Sequence, residues 1–247
     1  MVIGTILMDF VWLCGLTLLT ALSAATAIEI HAASPGSLGL ALGIVCGLLV
    51  WLVAVALLGA VAPKPRAGAT RVMGGRDFNA WVIQFLIRRW LTMPLVLPLW
   101  SQLSSVRWLT LRLLGARISF KAQMSSDVVI LDPHLVTIGA GSMIGAASGI
   151  SGHMMIGEKL IFAPVFIGEK VMIAAAVGIL PGVTVKDGAF IEPRVNVLAY
   201  ATIGEGARIG SGAIIGARAI IGAKVKVARG AVVPDDTVVA DGAHFPA

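Results

Sequence analysis

The chain has 247 residues, of which 57% are hydrophobic and 13% charged, with a formal net charge of +6. Soluble globular proteins carry about 45–50% apolar and about 25% charged residues. The composition therefore excludes a wholly water-exposed protein and an intrinsically disordered one.

The charge is unevenly spread. Residues 118–247 hold ten Lys/Arg and ten Asp/Glu, residues 62–117 hold nine Lys/Arg against Asp77 alone, and residues 1–61 hold only Asp9 and Glu29. A basic belt beside apolar segments reads as contact with anionic headgroups. A nucleic-acid surface would need the excess on the folded domain, where the charges balance, so no nucleic-acid partner is expected. All six tryptophans (12, 51, 81, 90, 100 and 108) also precede residue 118. Cys14 and Cys46 sit inside apolar runs as small hydrophobes, which predicts neither a disulfide framework nor a metal site.

Taken in chain order, Ile6–Ile28 is an apolar run broken only by Asp9, and Leu38–Val61 is a second run without any charge. At about 1.5 Å per residue each is long enough to span a bilayer. A short connection with Glu29, His31, Ser34, Pro35 and Gly36 makes the pair a transmembrane helical hairpin over 1–61. The first run has no basic n-region and exceeds an h-region in length, so it is not read as a cleavable signal. Lys64, Arg66, Arg71 and Arg76 follow the second run and the connection has no Lys or Arg. The positive-inside rule then places both termini and everything after residue 62 in the cytoplasm of a multi-pass protein of a bacterial-type inner membrane. Asp9 is an intramembrane carboxylate near a helix end, either functional or solvated and capping.

Residues 62–117 form the basic juxtamembrane segment. Within it, 78–117 is apolar but interrupted by Arg88, Arg89, Pro94 and Pro98, and Trp and Arg recur at intervals of three to four. That pattern suits helices lying in the membrane interface, with a re-entrant pair of half-helices as the alternative.

From Ile167 the sequence repeats every six residues: IGEKVM, IAAAVG, ILPGVT, VKDGAF, IEPRVN, VLAYAT, IGEGAR, IGSGAI, IGARAI, IGAKVK, VARGAV, VPDDTV. Twelve successive Ile or Val at this spacing fit neither a helix nor a plain alternating strand. The fifth position is small in every hexad, and the second is Gly in five. This is the signature of a parallel β-helix of hexapeptides, three hexads per coil, with the aliphatic residue filling the prism. Ile138 and Ile144 extend the pattern upstream, and Ile118, Met124 and Ile130 supply an earlier coil in shifted register. The count comes to roughly six to seven coils over 118–242. The register breaks once: the step from Ile150 to Ile167 falls one short of three hexads, and the departing segment contains His153. A loop that interrupts an unbroken solenoid is where binding residues tend to sit.

His153, followed by Pro164-Val165-Phe166-Ile167-Gly168 and Ile179-Leu180-Pro181-Gly182-Val183-Thr184, resembles the hexapeptide-repeat acyltransferases. A more specific likeness, over about residues 78–200, is to the membrane-embedded C-terminal region of ε-poly-L-lysine synthetase-like non-ribosomal enzymes. It is carried by Leu111–Ile118 (LRLLGARI) and Asp132–Gly139 (DPHLVTIG). The chain departs from the family pattern where Gly152 replaces a Thr, where Met154, Met155 and Ile156 replace acidic residues, and at an absent Asn near Gly145.

The resemblance implies a left-handed coil, a homotrimer, and acyl transfer from a thioester to a hydroxyl or amine. The donor would be acyl-coenzyme A or a carrier-protein phosphopantetheine, and no metal is required. It makes His153 the general base, since an imidazole titrates near neutrality and can take the acceptor's proton. Asp132, earlier by close to one coil plus the excursion, would sit one coil away and orient the ring. Ala174, Ala175 and Ala199 would let a pantetheine arm approach, and Lys159 would contact a phosphate. A carrier-protein-dependent amide-forming enzyme and a non-catalytic trimeric membrane scaffold are the competing readings. His134 reads equally well as a turn residue, and His31 and His244 are expected to be inert.

Overall fold

The computed structural model describes the backbone of residues 2–246 and the side chains of residues 10–246. The side chain of Asp9 therefore lies outside the described residues. The chain divides into two compact units, residues 1–63 with 80–113 and residues 64–79 with 114–247.

The first unit is helical: α1 (Val2–Ala33), α2 (Ser37–Val61), α3 (Arg76–Leu91), α4 (Leu97–Gln102) and α5 (Ser104–Leu113). Phe10–Ala33 and Ser37–Val61 are each long and apolar enough to cross a membrane, with mean hydropathies of 1.8 and 2.8. Helix α1 runs through Glu29 and His31, which the sequence assigns to the connection, so the turn is only Ser34–Gly36. Small residues bring the two helices together. A Cβ on Gly43 would stand 2.6 Å from the Ala27 carbonyl oxygen, and one on Gly47 2.6 Å from that of Ser23. Gln84 of α3 places its amide nitrogen 3.3 Å from the carbonyls of Gly59, Ala62 and Pro63. It thereby satisfies acceptors that the end of α2 leaves open. The Trp51 indole donates to the Trp90 carbonyl at 3.1 Å, and the Arg89 guanidinium lies 4.9 Å from the Trp12 ring centre.

The second unit is a parallel β-solenoid of about seven turns. Its first face stacks Arg117–Ile118, Val136–Ile138, Val165–Ile167, Thr184–Val185, Thr202–Ile203, Ile220–Ile221 and Val238–Val239. The second face runs from Gln123–Met124 to His244–Phe245, and the third from Val129–Ile130 to Val232–Val233. The inward residues align turn on turn: Ile118, Ile138, Ile167, Val185, Ile203 and Ile221 are paired neighbours and at most 1% exposed. Each such side chain contributes about 1.5–3 kcal/mol relative to exposure. The step from Ile118 to Ile138 is two positions longer than three hexads, and a short 3₁₀ turn, Pro133–Leu135, absorbs the excess.

The corners follow a rule that the composition does not announce. From Ile138 on, the fourth residue of each hexad has positive φ, with a single exception described below. Glycine holds seven of these positions, and Ala147, Lys170, Ala176, Arg194, Tyr200, Arg218, Lys224 and Asp236 hold the other eight. The second-position glycines serve close stacking instead: a Cβ on Gly216 would lie 2.5 Å from the backbone of the next turn. Acidic side chains tie turns together, Asp187 accepting from the Glu169 N–H at 2.8 Å and Asp235 from the Ala217 N–H at 2.7 Å.

Two segments differ from the sequence reading. The excursion between Ile150 and Val165 is a β-hairpin, His153–Ile156 with Lys159–Phe162, where the sequence suggests an open loop. Gly68–Arg71, counted with the helical belt, is instead a strand that pairs antiparallel with Lys159–Phe162. Its two small and two polar residues satisfy their backbone groups on the hairpin edge, a pairing too distant in sequence to leave a local signal.

Candidate functional site

The third face reaches the corner at position 153 through Ile150, an ordinary inward residue that is 1% exposed. The fourth residue of its hexad is His153, which, among the described hexads from Ile138 on, is the one fourth residue without positive φ. The chain extends at this corner and leaves the prism as the hairpin, which returns at Val165. His153 thus stands at the base of the hairpin, where the solenoid corner would otherwise close.

Asp132 follows the third-face strand of the preceding turn, so it occupies the same corner one turn away. It is 3% exposed. Oδ2 receives the Gly152 N–H at 3.0 Å and the His153 Nδ1–H at 2.6 Å. A carboxylate accepts only, so a ring proton sits at Nδ1. The Phe162 ring, 6.1 Å from the imidazole between centres and 1% exposed, packs beside it. Ser151 braces the base of the strand, its hydroxyl donating to the His153 carbonyl at 2.7 Å. The replacement of Thr by Gly at 152 has a steric reason. A Cβ there would stand 2.9 Å from Leu135 Cβ and 3.0 Å from Asp132 Cβ, so the buried carboxylate fits against Gly152 only because that residue has no side chain.

The remaining sequence-selected residues are dispersed. Lys159 is exposed at the hairpin tip, opposite Arg71 across the strand pair. Ala174 and Ala175 form a corner between the second and third faces, a different edge from that of His153. Their carbonyls receive the Ser148 hydroxyl and the Arg194 N–H, both at 3.0 Å. Ala199 is buried on the His153 edge, and its carbonyl accepts from the Arg218 N–H at 2.9 Å. That edge carries residues the sequence reading passed over. Counting three beyond Ile179, Val197, Ile215 and Val233 gives Gly182, Tyr200, Arg218 and Asp236, in line with His153. The exposed Tyr200 ring covers Gly182, which a side chain would block. Arg218 is held by a bidentate pair with Asp236, both bonds 2.6 Å. This exposed pair raises the guanidinium pKa and lowers that of the carboxyl, chiefly through the shared hydrogen bonds. Among the described residues, no three His, Cys, Asp or Glu side chains cluster as metal ligands would.

Chemically, the arrangement is a partly buried imidazole whose Nδ1 is fixed by a buried carboxylate.

No protein-family model matches the chain, and no curated protein matches it. Solved structures do. The acetyltransferase domain of PglB from Neisseria gonorrhoeae in complex with acetyl coenzyme A aligns at 19% identity over 55% of this chain and 60% of that one, with a TM-score of 0.26. A hexapeptide transferase family protein from Anaplasma phagocytophilum aligns at 19% identity over 54% and 70%, with a TM-score of 0.33. UDP-N-acetylglucosamine O-acyltransferase (LpxA) from Moraxella catarrhalis aligns at 16% identity over 47% and 66%, with a TM-score of 0.29. The chain spans about three fifths of the length of the PglB domain structure.

Proposed function

We propose that the protein is an acyltransferase in which His153 is the general base and Asp132 its orienting carboxylate. The observation that carries this reading is the 2.6 Å Asp132–His153 contact, placed at the corner where the solenoid opens into a hairpin. The donor is a thioester, acyl-coenzyme A or an acylated phosphopantetheine, and the acceptor a hydroxyl or amine. His153 Nε2 takes the acceptor proton as the oxygen or nitrogen attacks the thioester carbon. The new C–O or C–N bond forms, the C–S bond breaks, and the proton passes to the departing thiolate. Asp132 stabilises the imidazolium that forms in between. The edge beyond His153, with Gly182, Ala199 and Tyr200, offers a small-residue track with one flat ring on which an extended thioester arm can lie.

The rest of the proposal concerns placement. The solenoid coil is left-handed and assembles as a homotrimer, as the hexapeptide resemblance implies. Helices α1 and α2 cross a bilayer, with the solenoid on the cytoplasmic side, a reading supported by the Lys/Arg excess that follows Val61. The test compares lipid and small-molecule extracts by mass spectrometry from cells making wild type, His153→Ala or neither. A species present only with wild type would identify acyl group and acceptor together. Identical extracts, with the variant folded in the membrane, would remove His153 from catalysis.

A further inference from the structure

The Asp132–His153 pair is gripped from both sides by one short segment, residues 65–72, which comes soon after α2 in the chain. On one side, the His134 Nε2 lies 3.0 Å from the Pro65 carbonyl oxygen, to which it must donate. His134 belongs to the Pro133–Leu135 turn that starts at Asp132, and the turn is closed by the Leu135 N–H donating to the Asp132 carbonyl at 2.9 Å. Pro65 is buried, and Gly115 leaves space for the contact, since a Cβ there would meet His134 Cβ at 2.9 Å and Lys64 Cε at 3.1 Å. On the other side, Gly68 pairs with Phe162, which pairs with His153. The Val72 N–H closes the far end by donating to the Glu158 carbonyl at 2.9 Å. The Asp77 carboxylate accepts from the Arg66 N–H at 3.0 Å and bends the segment back on itself.

We infer that residues 65–72 are a strap that sets the Asp132–His153 geometry, and that His134 is a positioning residue acting through it. This rests on the acyltransferase reading only for its catalytic consequence. The strap reaches the carboxylate through His134 and the imidazole through the hairpin edge, so loosening it at either end frees one partner relative to the other. The sequence reading leaves His134 open between a turn residue and a part in the site; its bond to Pro65 gives it a role at one remove from the reacting atoms.

The experiment uses the full chain, labelled with ¹⁵N-histidine, in micelles, with His153→Ala assigning the His153 signals. Solvent exchange of the His153 Nδ1 proton is followed in His134→Ala, His134→Gln and Thr70→Pro. Antiparallel alternation from the Val72–Glu158 bond puts the Thr70 N–H on Leu160, so proline there opens the strap at its other end. Exchange at least tenfold faster in His134→Ala and in Thr70→Pro is expected, with His134→Gln, which keeps a donor for Pro65, within twofold of wild type. Backbone protection over residues 167–245 shows that each variant keeps its solenoid. Exchange within twofold of wild type in a folded His134→Ala overturns the inference, and so does failure of His134→Gln to restore slow exchange. Acyl transfer is measured in parallel. If wild type transfers nothing while the exchange pattern holds, the acyltransferase reading falls and the strap stands. If His153→Ala loses transfer and His134→Ala keeps all of it, the strap falls alone.

Discussion

Replacing Asp132 by Asn tests how the buried carboxylate acts on the reaction. Oδ2 accepts two hydrogen bonds, from the Gly152 N–H and the His153 Nδ1–H. Asparagine can present its carbonyl oxygen to both, so the fold and the ring tautomer are retained while the negative charge is lost. A hydrogen bond to a charged group contributes about 1.5–3 kcal/mol and a neutral one about 0.5–1.5 kcal/mol. The imidazolium formed during transfer therefore loses about 1–2 kcal/mol, which is about a 5- to 30-fold fall in kcat at about 1.36 kcal/mol per decade. His153→Ala removes the proposed base and should cost about 10²- to 10⁴-fold. If Asp132 works only through the ring, as proposed, adding Asp132→Asn to His153→Ala should cost nothing further. The assay is thiol release from acetyl-coenzyme A in the presence of membranes containing the acceptor, run on all four proteins of the cycle. An equal fall on adding Asp132→Asn in both backgrounds would refute the orienting role, since the carboxylate would then act independently of His153.

Other expectations concern the scaffold. Gly212 has φ of +73° and open space where a Cβ would go, so Gly212→Ala should cost only the left-handed backbone preference, about 1–2 kcal/mol in a denaturant titration. Gly216→Ala should cost more, because its Cβ meets the next turn's backbone at 2.5 Å; an equal or smaller loss would contradict the stacking argument. In the helical unit, Gly43→Leu overfills the approach to Ala27. It should lower the melting temperature of the full chain in micelles by the equivalent of about 1–3 kcal/mol. The Asp236 carboxyl is held below its ordinary value of 3.8 by Arg218, so the pair's contribution is complete above that value and disappears as pH falls through the lower folded value. A small stability difference between wild type and Arg218→Met should thus be present at neutral pH and absent in strong acid. A difference that persists in acid would mean Arg218 stabilises by packing.

Legibility in the sequence varies with the range of the contacts. The hexads from Ile167 can be read directly because each inward aliphatic is set by its own six-residue unit. Asp132 and His153 can be paired on paper because the solenoid converts spacing into proximity, one turn bringing the same corner back. The hairpin is present in the sequence as two tetrads, HMMI and KLIF, each with three apolar residues, around a two-residue Gly157-Glu158 turn. The nearby register break points to a loop instead. The left-handed corners are hidden because Lys170, Arg194, Tyr200 or Lys224 at a positive φ has no residue signature. The strap is illegible for the opposite reason. Gly-Ala-Thr-Arg at 68–71 becomes a strand only through an edge built much later in the chain, and His134 finds its partner in Pro65 through the same long-range fold.

The regular stacking makes the solenoid a ruler with a fixed graduation. Beyond Ile167, one revolution is three hexads, with Ile203 over Val185 and Ile221 over Ile203. Excising 204–221 would join Ile203 to Gly222 and slide everything downstream by one interstrand spacing, about 4.8 Å, without rotating it. The Asp132–His153 pair, its hairpin and the strap all lie upstream of that cut. Overall length and the geometry at the hairpin are thus separable variables.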